Sequence, residues 1–283
     1  LVEEPQDVLS STVNLLEHVI CYGDSTGKAI SNVQGGQFPY IFAWDNGDST
    51  QINSNLWAGW QGVTFTDANN CTLRDSIEII NVNPEIQGFV SILQDVSCFN
   101  GCDGIAQLSS TGGVLQHNYF WDNGQTYFGS GPDTAYNLCY GGHDIIIEDM
   151  EGCRKIVEFT INQPTEIFAQ ATIVQPVQCF GFDDGMAHGT ATGGTSPYTY
   201  VWDSINGQSG QNAVNLTPGV HILYVTDSKG CTAQDTVVIT EPAQLVVSID
   251  DTMTVYSYCS GTNSGQLCAV ASGGTIPYNY VWN

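Results

Sequence analysis

Basic residues are nearly missing from this chain. Lys and Arg together number five in 283 residues, against 29 Asp and Glu, which leaves a net charge of −24. A field of that sign repels the phosphates of nucleic acid and of anionic lipid, so neither is expected as a partner. There is no run of 18 apolar residues and no basic leader followed by an apolar stretch, so neither a membrane span nor a signal peptide is read here. An apolar period of 3.6 residues is also lacking, which argues against helices. Five histidines (His18, His117, His143, His188 and His221) stand without ligand or triad spacing, and there is no Gly-x-Ser-x-Gly elbow or phosphate loop. Catalysis is not expected. Charged residues make up only 12% of the chain and hydrophobic ones 42%, the balance of a folded protein with an acidic surface.

What the chain does have is repetition. Gly35-Gly36-Gln37-Phe38-Pro39-Tyr40-Ile41-Phe42-Ala43-Trp44 returns in altered form at Gly112-Gly113 to Trp121, Gly193-Gly194 to Trp202 and Gly273-Gly274 to Trp282. Cys21, Cys98, Cys179 and Cys259 each stand fourteen residues before a glycine pair, giving periods of 77, 81 and 80 residues. Such a unit is a small domain and not a solenoid rung. Pro5, Pro84, Pro164 and Pro242 follow apolar runs and mark the seams. The expected division is 1–4 (end of a preceding repeat), 5–83, 84–163, 164–241 and 242–283, the last being truncated.

Ten cysteines in small repeated units point to an oxidising compartment. The repeat predicts staples inside each unit: Cys21 with Cys71, Cys98 with Cys153, Cys179 with Cys231 and, in repeat two alone, Cys102 with Cys139. A closed loop of roughly 50 residues contributes about 4 kcal/mol in the chain-entropy model. Cys259 and Cys268 belong to the truncated unit, so their partners are expected beyond Asn283. Zinc needs paired Cys-x-x-Cys spacings that do not occur here. Cofactors are therefore expected to be none. Calcium is the alternative to that, at Asp48, Asp183 and Asp184, although Asx-Gly pairs ordinarily build turns.

Short β-rich segments such as Pro197 to Trp202 and His221 to Asp227, spaced by turns, give an all-β fold of tandem immunoglobulin-like β-sandwich repeats with about seven strands each. Asn46-Gly47 and Asn123-Gly124 read as tight hairpins. Trp44, Trp121, Trp202 and Trp282 share one position, and Val63 with Phe65, Ile145 with Ile147 and Leu223 with Val225 alternate on one strand face, so these are expected core residues. Trp57 and Trp60 have no aromatic counterpart in the other repeats. A residue the fold does not demand is the better candidate for a contact surface.

Several anchors recur at fixed spacing: Gly27, Gly104, Gly185 and Gly265 six residues after the first cysteines; the Gly-Gly-x-x-Pro-Tyr-x-(Tyr/Phe)-x-Trp phrase; Asn55-Leu56, Asn137-Leu138 and Asn215-Leu216; and Asp67 to Cys71, Asp149 to Cys153 and Asp227 to Cys231. This pattern resembles the SprB repeat of Bacteroidota surface adhesins. Repeat two departs from it at Val114 to Tyr119, where the Pro-Tyr pair is lost.

The resemblance implies a very long modular protein, extracellular and attached to the cell surface, exported by the type IX secretion system. Its expected function is a non-enzymatic repeat stalk serving surface attachment and gliding motility. The alternative is a set of carbohydrate-binding accessory modules of a secreted polysaccharide-degrading enzyme. Expected partners are neighbouring repeats, the outer-membrane export and motility machinery acting at the termini, and surface polysaccharide. Seven Asp-(Ser/Thr)-x triplets also resemble the O-glycosylation signal of exported Bacteroidota proteins, with Ser25, Ser49, Ser76, Thr134, Ser204, Thr236 and Thr252 as acceptors. Short seams and like charge are expected to hold the units in a row.

Overall fold

The computed structural model describes residues 7–129, 131–203, 207–250, 252, 253, 255 and 265–282. The segment Leu1–Glu4, Pro5, Ser204 and Cys259 lie outside the described residues. Every named element is a β-strand. The chain divides into two compact units, residues 1–95 with 102–162, and residues 96–101 with 163–283.

The first unit contains two sandwiches. In the first, β1 (Ser10–Glu17), β2 (Gly27–Gln34) and β4 (Ile52–Leu56) form one antiparallel sheet in the order β1-β2-β4. The facing sheet has the order β3-β5-β6, from β3 (Ile41–Trp44), β5 (Gly59–Thr66) and β6 (Thr72–Ile79). Alternation along β5 turns Val63 and Phe65 inward and Thr64 and Thr66 outward, so one face of the strand is core and the other is wet. Val19, Ala29, Trp44, Leu56 and Ile79 complete the core. The indole N–H of the buried Trp44 donates to the Thr50 carbonyl at 2.9 Å, so burying the ring strands no polar group.

The second sandwich repeats the plan. β7 (Gln87–Gln94), β8 (Gly104–Thr111) and β11 (Asp133–Leu138) face β9 (His117–Trp121), β12 (Gly141–Glu148) and β13 (Arg154–Ile161). An extra edge strand, β10 (Thr126–Gly129), pairs with β9. The hairpins at Asn46-Gly47 and Asn123-Gly124 differ from the expected tight form. Only the glycines take positive φ, 86° each, and Trp44 N–H reaches the Asp48 carbonyl across a three-residue loop. That is the three-residue connection with glycine in the left-handed position, where the two-residue turn requires both residues left-handed.

In the second unit, β14 (Phe168–Gln175), β15 (Gly185–Thr192) and β17 (Asn212–Leu216) face β16 (Thr199–Trp202), β18 (Gly219–Thr226) and β19 (Thr232–Ile239). Trp202, Leu223 and Val225 are buried at its centre. Among the described residues, repeats one and three have six named strands and repeat two, with β10, has seven, close to the expected number of about seven. The fourth segment contributes the pair β20 (Val246–Ile249) and β21 (Ala269–Ser272). Trp282, expected in a core, is 55% exposed there, because no facing sheet covers it among the described residues.

Candidate functional site: the cysteine junctions

Each repeat is organised around one buried carboxylate. Asp67, Asp149 and Asp227 are at most 5% exposed. One oxygen of each accepts the N–H groups two and four residues on (Asn69 and Cys71, Glu151 and Cys153, Lys229 and Cys231) at 2.8 to 3.0 Å. The other oxygen accepts the N–H following the glycine pair, from Gln37, Val114 or Thr195, at 2.8 to 3.0 Å. At Asp227, burial pushes the carboxyl up, but the converging N–H groups of Thr195, Cys231 and Lys229 outweigh it and hold the carboxyl below its ordinary range. The Gln37 N–H leads the same lowering at Asp67.

The glycine pair exists to let this carboxylate in. Gly193 and Gly194 have φ of 72° and 56°, and a Cβ on Gly194 would stand 2.6 Å from the Asp227 Oδ2. A Cβ on Gly193 would run into the Glu166 carbonyl. Only glycine tolerates both the conformation and the approach. Five residues after the first glycine, Tyr40 and Tyr198 donate their hydroxyls to the Gly35 and Gly193 carbonyls. In repeat two His117 stands at this position, with Nε2 3.1 Å from the Gly112 carbonyl and Nδ1 2.5 Å from the Ser110 hydroxyl. Ser110 in turn contacts the Tyr119 hydroxyl at 2.7 Å. His117 and Tyr119 are 3% and 2% exposed, so this Ser-His pair is a packing network closed to substrate.

The disulfides correct the sequence reading. Cys21 is bonded to Cys153 and Cys98 to Cys231, so each bond joins one repeat to the next. The expected pairs Cys21–Cys71, Cys98–Cys153 and Cys179–Cys231 are not formed, and Cys71 and Cys179 are exposed thiols. Cys268 is free as well, and repeat two contains the bond Cys102–Cys139.

Strand length explains the difference. Val19 pairs with the segment after β6, its N–H donating to the Ile80 carbonyl at 3.2 Å, so Cys21 lies at the end of the sandwich where β6 finishes. Cys71 lies where β6 begins. Eight strand residues separate those ends by roughly 25 Å, far beyond the ~7 Å between Cα atoms that a disulfide spans. The seam brings the next repeat instead. The Gly113 N–H donates to the Pro84 carbonyl at 3.0 Å, seating the second glycine pair and its Asp149 turn on the chain as it leaves the first sandwich. Cys21 and Cys153 meet there with Cα atoms 5.3 Å apart, beside a cleft lined by Tyr22, Pro84, Glu85 and Lys155. Lys155 is ion-paired with Glu85 at 2.8 Å. In the second unit the Gly194 N–H donates to the Thr165 carbonyl at 2.9 Å, and Cys98 and Cys231 lie 5.6 Å apart.

Of the other predicted site residues, Trp57 and Trp60 are 53% and 69% exposed. Asp48 Oδ1 accepts the Thr50 N–H and hydroxyl within its own turn, and Asp184 Oδ1 accepts the Gln178 N–H. Asp183 is exposed. Among the described residues no three His, Cys, Asp or Glu side chains converge as a metal set. Ser49, Ser76, Thr236 and Thr252 are exposed, while Ser25 and Thr134 are half-buried. Asp75 and Asp235, which open the triplets of Ser76 and Thr236, latch one sheet to the other. Asp75 accepts the Ser11 hydroxyl at 3.1 Å, and Asp235 accepts the Ala171 N–H at 2.8 Å.

Among solved structures, the chain is similar to a C-terminal fragment of intimin complexed with the translocated intimin receptor. The identity is 14% with a TM-score of 0.30, over 58% of this chain and 66% of that one. A protein described under host cell surface retention of a 1.5-MDa bacterial ice-binding adhesin gives 12% and 0.33 over 84% and 99%. A tetra-tandem repeat from the extending region of a large adhesion protein gives 11% and 0.23 over 94% and 88%. No curated protein matches the sequence. Three stretches, residues 17–49, 90–126 and 171–207, do match a family model, each starting within a first strand and running past the glycine pair and the core tryptophan, and the model is that of the SprB repeat.

Proposed function

We propose that this chain is a segment of the repeat stalk of a large cell-surface adhesin, a mechanical and non-enzymatic array. The observation that carries this reading is the pair of disulfides joining successive repeats. A bond from one repeat to the next adds nothing to a pocket within a repeat, but it gives the array a second covalent connection alongside the backbone. The acidic surface, with its net charge of −24, opposes collapse of neighbouring repeats onto each other. Surface attachment, gliding, export by the type IX system and contact with the motility machinery belong to this proposal, as does glycan on exposed Ser49, Ser76, Thr236 and Thr252.

The stalk reading is tested by applying residues 1–283 to a polysaccharide panel and labelling intact producing cells with an antibody to the same residues. External labelling together with an inert panel is expected. Intact-mass measurement of the native protein reads the glycan directly. Exposed Trp57 and Trp60 favour a second reading, a sugar-stacking face in repeat one. Saturable polysaccharide binding that is lost in Trp60→Ala would establish that reading in place of an inert stalk.

A further inference from the structure

Cys71 and Cys179 are free, but each has the backbone setting of a bonded counterpart. The Cys71 N–H donates to Asp67 Oδ1 at 2.8 Å, as Cys153 and Cys231 donate to Asp149 and Asp227 at 2.9 Å. The Cys179 carbonyl accepts the Phe182 N–H at 3.1 Å, the turn that Cys21 and Cys98 make with Asp24 and Gly101. What differs is cover: Cys153 and Cys231 are 6% and 8% exposed beneath the loop of the repeat before them, whereas Cys71 is exposed. At Cys179 the other half of a junction is already being assembled. The Gly274 N–H donates to the Ala243 carbonyl at 2.7 Å, matching the Gly194–Thr165 bond at the Cys98–Cys231 junction. Cys179 also lines a cavity with Thr240, Pro242 and Thr275, and Thr275 holds the place of Thr195, whose N–H binds Asp227.

We propose that Cys71 and Cys179 are rungs of the same repeat-to-repeat ladder. Cys179 bonds the cysteine of an Asp-x-x-x-Cys turn in the repeat that begins at Pro242. Cys71 bonds a cysteine of the Cys21 type, in the loop after the first strand of a repeat preceding Pro5. Each bond forms from two thiols by exchange with a protein disulfide. The two thiols lose two protons and two electrons, and the oxidant's disulfide is reduced to a dithiol. This goes beyond the adhesin reading, since the ladder holds for any array of these repeats whatever it serves.

The test is non-reducing peptide mapping of the native protein from its own cells, with thiols alkylated before lysis. The expected products are a Cys179 peptide joined to a peptide bearing an Asp-x-x-x-Cys sequence other than the three present here, and a Cys71 peptide joined to a cysteine from outside residues 5–283. Alkylated Cys71 or Cys179, or a bond from Cys71 to Cys21 or from Cys179 to Cys231, Cys259 or Cys268, overturns the proposal. A second measurement uses residues 1–283 alone, in which Cys71→Ser with Cys179→Ser should leave Cys21–Cys153 and Cys98–Cys231 formed and the melting temperature unchanged. Loss of either bond in that variant also overturns it, because the two thiols would then belong to the fold of this segment.

Discussion

Three backbone donors, the N–H groups of Thr195, Lys229 and Cys231, converge on the Asp227 carboxylate. Asp227→Ala strands all three, at roughly 1 kcal/mol or more each, so a loss of about 3 kcal/mol is expected in urea unfolding at neutral pH followed through Trp202 fluorescence. The lowered carboxyl of Asp227 fixes the sign of its pH dependence. Its contribution is complete above the unfolded value of about 3.9 and is lost as pH falls through the folded value. His221 works in the opposite direction. Burial opposes its charge, but Nδ1 faces Asp203 at 2.7 Å and Nε2 faces the Thr217 carbonyl at 2.8 Å, and together these hold its pKa above the ordinary value. Its contribution is therefore present below about pH 6.5 and is lost as pH rises through the folded value. Repeat one has Gln61 at this place, donating to the Trp57 carbonyl at 3.1 Å. His221→Gln should accordingly keep the fold while flattening the stability profile between about pH 6 and 8. An unchanged profile in urea midpoints across that range would show that the His221–Asp203 pair contributes nothing.

At the scale of the strands, β2, β8 and β15 each open on a glycine pressed between the two sheets. A Cβ on Gly185 would stand 2.8 Å from both the Ile239 side chain and the Leu216 carbonyl. Its φ is not positive, so the constraint is contact and not conformation. Gly185→Ala is expected to cost about 1 to 3 kcal/mol by overpacking, whereas Gly142→Ala, which meets nothing within 4 Å, should stay within about 0.5 kcal/mol. Equal thermal shifts for the two variants would defeat this account.

Strands such as β16 and β18 were legible in the sequence because the repeated tryptophan phrase marks the first and alternation the second. The short β4, β11 and β17 were not. Asn137 and Asn215 take φ of 56° and 54°, and the resulting bulge breaks the alternation while delivering Leu138 and Leu216 to the core. The disulfide partners escaped for a different reason. Comparing repeats shows which cysteines are equivalent, but a bond within each repeat and a bond to the next produce the same list of equivalents. Only the length of β6 between Cys71 and Ile80 separates the two.

Over the whole chain, Cys21–Cys153 and Cys98–Cys231 span 132 and 133 residues and interlock, each ring enclosing one cysteine of the other. A closed loop of that size contributes about 5 kcal/mol in the chain-entropy model. The greater consequence is mechanical. Seams are the exposed joints of a repeat array, where a staple confined to one repeat gives no protection against a cut. The bond Cys98–Cys231 passes over the Pro164 seam, and Cys21–Cys153 passes over the Pro84 seam. With a specific protease site inserted beside Pro164, the cleaved protein should run as one species on a non-reducing gel and as two after reduction. Two species without reductant would mean that the repeats are stapled singly, and a load-bearing role for the junctions would fall with that result. One species means that an array nicked at a seam still transmits tension through sulfur after the backbone is broken.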